Sequence, residues 1–136
     1  MRPFPETVSH PHILVVDDDP DMLRSLTVLL ESCGYTVAVA EDGSSALQQL
    51  ASDRKTDVVL TDLYMPNTDG LELILALREA QGALPIVAMS GGGSRSGHDT
   101  LSMARKLGAN AVIDKPFRKP QIVETIDRVL AATARS

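Results

Sequence analysis

Five short apolar runs recur along this chain, and amphipathic stretches separate them. They read His-Ile-Leu-Val-Val from His12, Thr36–Ala40, Asp-Val-Val-Leu-Thr before Asp62, Pro85–Met89, and Ala111-Val112-Ile113. Runs of this length without polar alternation are strands covered on both faces, the condition of a parallel sheet with helices on either side. The intervening stretches have helical signals. Asp19-Pro20 is a cap followed by proline in the first turn, Leu23, Leu26 and Leu30 form one stripe, and Gly34 closes the helix. A second helix starts at Ser44 with Ala46, Leu47 and Leu50 inward. Asp69 caps a third, from about Gly70 to Ala80, that is apolar nearly all round. A fourth runs from about His98 to Leu107 and ends at Gly108. The last opens at Lys119 or Pro120 and carries Ile122, Ile126, Val129 and Leu130. The pattern predicts an α/β fold: a doubly wound five-stranded parallel sheet with two helices on one face and three on the other.

A chain of 136 residues fits one domain, and 43% apolar residues suffice for a two-sided core. The expected organisation is a flexible N-terminal tail over 1–11, which holds three prolines, a domain over 12–131, and a C-terminal tail over 132–136. A formal charge of −5 argues against a nucleic-acid partner, which would call for a basic patch. No apolar run approaches the roughly 20 residues of a membrane span, and the first nine residues lack the apolar core of a signal peptide. The single cysteine, Cys33, makes no internal disulfide, in keeping with a cytoplasmic setting; it reads as a packed thiol at a helix end.

The chemistry-bearing residues fall at strand ends. Strand one runs into Asp17-Asp18-Asp19, strand three ends at Asp62, and strand five delivers Lys115. In a parallel sheet these ends share the edge where open α/β sheets carry their ligands. Carboxylates crowded there repel one another unless a cation sits among them. An all-oxygen site suits a hard divalent ion, and magnesium fits best when a phosphate completes its shell. With a lysine for the phosphoryl charge, the implied chemistry is phosphoryl transfer onto a carboxylate. A helix cap plus solvated acids explains Asp19 well and Asp17 and Asp18 poorly.

Asp17-Asp18, Asp62 with Met65-Pro66, Ser90, and Lys115-Pro116-Phe117 stand in an order and approximate spacing that resembles the receiver domain of bacterial response regulators, over roughly His12 to Leu130. The resemblance implies a flavodoxin-like strand order 2-1-3-4-5 and phosphorylation of Asp62. It implies Mg2+ bound directly by Asp18 and Asp62, through water by Asp17, and by the backbone carbonyl of Tyr64. Lys115 would pair with one phosphoryl oxygen, and Ser90 would hydrogen-bond another through its hydroxyl. The bond before Pro116 is a candidate cis peptide that aims Lys115. Gly91 would leave room beside Asp62, and Tyr64 and Gly92 would flank the route of the hydrolytic water.

Two positions depart from the family. Receivers usually carry an aromatic three residues before the lysine, which swings inward on phosphorylation; here Val112 removes that half of the switch and leaves Ser90. The stretch 90–97 holds four glycines, including Gly91, Gly92 and Gly93. Either phosphorylation orders this loop and shifts helix four, or the loop is a slack insertion with no role. The expected protein is a stand-alone, cytoplasmic two-component regulator, not an enzyme beyond its own phosphorylation and autodephosphorylation. Its partners would be a sensor histidine kinase or histidine phosphotransfer protein, approaching the exposed face of helix one, and a further protein target or relay partner. Arg105, Lys106, Asp114 and Arg118 suit weak self-association through helix four, strand five and helix five, and suit a solvated surface equally well. Two competing readings differ in class. A pseudo-receiver binding its partner without phosphorylation would be marked by loss of an acid or the lysine, and none is lost. Asp17-x-Asp19 also resembles the aspartyl motif of haloacid-dehalogenase-type phosphatases, but those enzymes want threonine or valine where Asp21 stands, and a longer core or cap.

Overall fold

The computed structural model describes residues 10–52, 56–63, 70–80, 82–90, 102, 104–115 and 118–134. Strand β1 (His12–Val16) leads to helix α1 (Pro20–Glu31), β2 (Thr36–Ala40), α2 (Gly43–Ala51), β3 (Val58–Asp62), α3 (Gly70–Ala80) and β4 (Ile86–Ser90). A fourth helix, α4, is described at residue 102 and over 104–107. Strand β5 (Ala111–Asp114) and helix α5 (Lys119–Ala134) complete the chain. The five strands form one parallel sheet in the order β2-β1-β3-β4-β5.

The two-residue period of a strand explains both cores. Ile13 and Val15 point to one face and Leu14 and Val16 to the other. On the first face, Leu23, Leu26 and Leu30 of α1 and Ile122, Ile126 and Val129 of α5 pack on Ile13, Val15, Leu60 and Met89. On the second, Ala46 and Leu50 of α2, Leu73, Ile74 and Leu77 of α3, and Ala104 of α4 pack on Leu14, Val16, Val59 and Ala88. The expected division of two helices and three is thus present. β3 and β4, in the sheet interior, are buried at every residue, whereas edge strand β2 is buried only at Ala40.

Helix ends follow their side chains. Asp19 caps α1 by accepting from the Asp21 amide at 3.0 Å, with Pro20 in the first turn. Gly34 follows at φ +97°, a conformation open to glycine. α2 starts one residue before the expected Ser44, because Asp42 takes the cap position and accepts from Ser45 N at 2.8 Å. α3 buries Leu73, Ile74 and Leu77 and leaves Leu75 exposed. The expected Asp69 cap lies outside the described residues.

Two boundaries of the sequence reading shift. α5 continues to Ala134, so residues 132–134, expected in a C-terminal tail, are helical. At the other end Pro11 is already attached, its carbonyl accepting from Thr36 N at 2.9 Å, and His10 Nδ1 lies 3.0 Å from Gly34 O.

Candidate functional site

Register carries the strand ends to one edge. Val16 pairs with Thr61, Asp62 with Met89, and Ser90 with Asp114, so the residues that leave β1, β3, β4 and β5 stand side by side. Backbone bonds lock that row: Asp17 N to Ala40 O at 3.1 Å, Leu63 N to Met89 O at 3.0 Å, and Lys115 N to Ser90 O at 2.8 Å.

Asp17, Asp18 and Asp62 each offer a carboxylate oxygen, and the three oxygens lie within 4.8 Å of one another. Asp17 is 1% exposed and Asp62 5%, whereas Asp18 faces solvent. Carboxylates so far from water need compensating charge and hydrogen bonds. Part of it comes from Lys115, whose ammonium Nζ donates to Asp17 Oδ2 at 3.0 Å and lies 3.6 Å from Asp62 Oδ1. The other Asp17 oxygen accepts from Asp19 N at 3.0 Å, which aims the carboxylate into the cluster. Three carboxylates against one ammonium leave the cluster negative, and an all-oxygen donor set of that sign fits a hard divalent cation.

Ser90 completes the edge. Its side chain is fully buried, yet its Oγ has no hydrogen-bond partner among the described residues. A buried hydroxyl left without a partner is uncommon, and a bound oxygen-rich group is one of the few reasons for it. Val112 is half-buried against the α2–α3–α4 core, so an aliphatic side chain stands at the position of the expected aromatic. Tyr64, Met65, Pro66, Gly91, Gly92, Gly93, Pro116 and Phe117 lie outside the described residues, as do the expectations placed on them.

Three residues fall outside the sequence reading, Thr61 at this edge and Arg78 and Asn110 at the opposite ends of β4 and β5. Thr61 donates its buried hydroxyl to the carbonyl of Asp62 at 3.0 Å. Arg78 and Asn110 bond one another at 2.6 Å and tie the far ends of β4 and β5. Burial pushes the Arg78 guanidinium below its ordinary pKa. Nothing in their local sequence sets them apart, since their partners lie up to 32 residues away.

The sequence pattern of the response regulator receiver domain matches residues 13–127. The transcriptional regulatory protein PrrA of Mycobacterium tuberculosis is 35% identical over 123 residues, covering 90% of this chain and 51% of PrrA. The transcriptional regulatory protein GlrR of Escherichia coli is 34% identical over 123 residues, covering 90% of this chain and 27% of GlrR. The chain thus spans about half the length of the first of these relatives and about a quarter of the second. Among solved structures, NtrX from Brucella abortus in complex with ADP superposes with a TM-score of 0.85 at 30% identity, covering 92% of this chain and 28% of NtrX. A CheY-like receiver domain protein from Methanospirillum hungatei superposes at 0.84 with 26% identity, covering 93% of this chain and 98% of that one. No helix among the described residues is long and apolar enough to cross a membrane. With the matched pattern spanning most of its length, the chain belongs to the response regulator receiver domain family.

Proposed function

We propose that this chain accepts a phosphoryl group on Asp62 from the phosphohistidine of a sensor kinase or phosphotransfer protein, and signals through its phosphorylated form. The observation that carries the reading is the convergence at one sheet edge of three carboxylates, the Lys115 ammonium and the buried Ser90 hydroxyl, which has no partner among the described residues. A carboxylate oxygen of Asp62 attacks phosphorus, a P–O bond forms, and the P–N bond to the donor imidazole breaks with its electron pair left on nitrogen. Little bond-making help is asked of the protein, so positioning and charge neutralisation dominate the step. Lys115 lies 3.6 Å from Asp62 Oδ1 and would take up one phosphoryl oxygen. Ser90 Oγ–H would donate to another. Asp17, Asp18 and Asp62 would hold Mg2+, whose chemistry when bound is to neutralise phosphoryl charge. The chain itself turns over no separate substrate: its chemistry is its own phosphorylation and the hydrolysis of that bond.

The donor approach fits α1. Val28 is exposed and Leu29 half-buried, and both line a groove with Asp21, Arg24 and Lys119 that runs from α1 to the start of α5. Apolar residues rimmed by charges suit the helix that would carry the donor histidine. The output is either docking on a protein target or onward transfer to a second histidine.

Intact mass after incubation with acetyl phosphate, with and without Mg2+, tests the acceptor assignment. The expected result is a gain of one phosphoryl group that needs Mg2+ and is absent in Asp62→Asn. A parent that gains nothing from acetyl phosphate or from a kinase supports the phosphorylation-independent binding module instead.

A further inference from the structure

The guanidinium of Arg78, near the end of α3, uses all five of its N–H donors. Nε donates to Gly108 O at 3.0 Å, and Nη2 to Gly108 O and to Asn110 Oδ1, both at 2.6 Å. Nη1 donates to the carbonyls of Gly82, at 3.2 Å, and Leu84. None of these acceptors is a carboxylate, so this cation is held by backbone and amide dipoles alone. The acceptors belong to the α3–β4 turn and the α4–β5 turn. Asn110 passes the connection on: its Oδ1 also accepts from Ile86 N at 2.8 Å, and its own N–H donates to Ile86 O at 2.7 Å. One side chain therefore fastens the end of α3, the start of β4, the end of α4 and the start of β5.

The fit is close. Gly108 stands at φ +126°, and a Cβ there would lie 2.7 Å from Arg78 Nε and 2.8 Å from its Cγ. Only glycine lets the guanidinium reach the carbonyl that follows α4, where a cation also complements the helix C-terminus. At the opposite end of the same two strands stand Ser90 and Lys115, joined by a backbone bond of 2.8 Å.

We infer that Arg78 is a positioning residue, a fixed pivot for the α4–β5 unit. The inference rests on the proposed phosphorylation of Asp62. When a phosphoryl group draws in Ser90 and Lys115, the site end of β4 and β5 shifts, and the unit turns about the Gly108–Asn110 clamp rather than sliding along the sheet. A planar five-donor fork explains why sliding is disfavoured: displacement along β5 strains its bonds to Gly108 and Asn110 together. With Val112 in place of an aromatic, no side-chain swing of the usual kind accompanies the turn.

Amide exchange followed by NMR tests this in the full chain. The far-end probes are the amides of Ile86, Gly108, Ala109 and Asn110; the site-end probes are Leu63 and Lys115. Intact mass of each sample reports the phosphorylated fraction. In the parent, phosphorylation is expected to change the site-end probes about fivefold or more and the far-end probes less than about twofold. Arg78→Lys keeps the charge and loses the fork; its far-end probes should exchange about tenfold faster and now respond to phosphorylation, with Leu63 unaltered before it. If that variant does not fold, Asn110→Ala removes part of the clamp and carries the same test. Far-end probes in the parent that respond as strongly as Lys115 overturn the pivot. So does uniform acceleration of every probe in Arg78→Lys, the mark of a purely structural arginine. A parent without the phosphoryl mass gain defeats the acceptor reading and with it the pivot, whereas far-end probes that respond as strongly as Lys115 are seen only in samples whose mass has risen, and uniform acceleration in Arg78→Lys is seen before any phosphorylation.

Discussion

Ser90→Ala separates function from stability. The Ser90 side chain is fully buried and its hydroxyl has no partner among the described residues. Leaving such a group unsatisfied costs about 1–3 kcal/mol relative to water. Alanine removes one oxygen and leaves a void smaller than a methyl group, so the cavity penalty is small beside that cost. The variant should therefore be more stable than the parent by about 1 kcal/mol, a rise in Tm of about 3–5 °C for a domain of this size. Its phosphorylation should fall in parallel. Loss of one hydrogen bond to a charged phosphoryl oxygen, worth about 1.4 kcal/mol or more, corresponds to about tenfold in rate. Thermal unfolding in chelator measures the first effect, and the rate of mass gain from acetyl phosphate in Mg2+ measures the second. A Tm lowered by more than about 3 °C would mean that the hydroxyl already has a partner worth keeping, and the argument from its isolation would be lost. An unchanged rate with raised stability would leave the burial argument standing and remove Ser90 from the phosphoryl site.

Four further changes test other parts of the structure. Gly108→Ala combines a positive φ with a Cβ driven into Arg78, and should lose about 3 kcal/mol in urea unfolding; a loss under about 1 kcal/mol would contradict the close approach. Lys115→Met strips buried Asp17 of its ion-pair partner and should cost about 3–5 kcal/mol in chelator, part of it recovered on titrating Mg2+, with no recovery counting against a cation site. Val28→Asp should leave the acetyl phosphate reaction unchanged and slow transfer from a kinase about tenfold, since it places charge in the α1 groove; equal effects on both donors would remove the groove as a docking face. Ile74→Ala, at a fully buried position between α3 and the sheet, should cost about 2–5 kcal/mol without altering the Mg2+ dependence of phosphorylation.

The parts of this molecule that were legible in its sequence are those with local causes. Val58-Val59-Leu60 is apolar because β3 is covered on both faces, and the same fact places Asp62 at a sheet edge. Asp19-Pro20 starts α1 by backbone chemistry that spans three residues. Asp42 was passed over as the α2 cap because Ser44 is equally good cap chemistry, and only the strand before it decides between them. What remained hidden depends on distance through the fold. Lys115 was expected near a phosphoryl group, but that its ammonium lies closer to Asp17 than to Asp62 follows from the register of β5 and β4, which no local pattern encodes. Arg78 reads as one charge at a helix end; its role emerges only where the α4–β5 turn folds back on it. In the sequence Gly108 and Asn110 look like ordinary turn chemistry, and only the fold shows the positive φ of the one and the side-chain acceptor of the other.

The charge balance of the site explains why fold and function are joined here. Two nearly buried carboxylates, a third at the surface and one ammonium sum to a formal charge of −2. Such a cluster opposes folding, because its acids repel in a medium that screens poorly. Stability has to come from the two apolar layers on either side of the sheet, where Leu26, Leu30, Ile122 and Ile126 face one way and Leu73, Ile74 and Leu77 the other. The site thus sits at the ends of the strands those layers cover, and its excess charge equals that of one divalent cation in magnitude. Phosphorylation of Asp62 would turn one carboxylate charge into about −1.5 to −2 on the phosphoryl oxygens. With the cation bound, that would leave the edge short of positive charge once more, and among the described residues the Lys115 ammonium and the Ser90 hydroxyl stand beside it to answer that demand. Both ride on β4 and β5, so the electrostatic demand of the added group falls on the strands that Arg78 fastens at their other end.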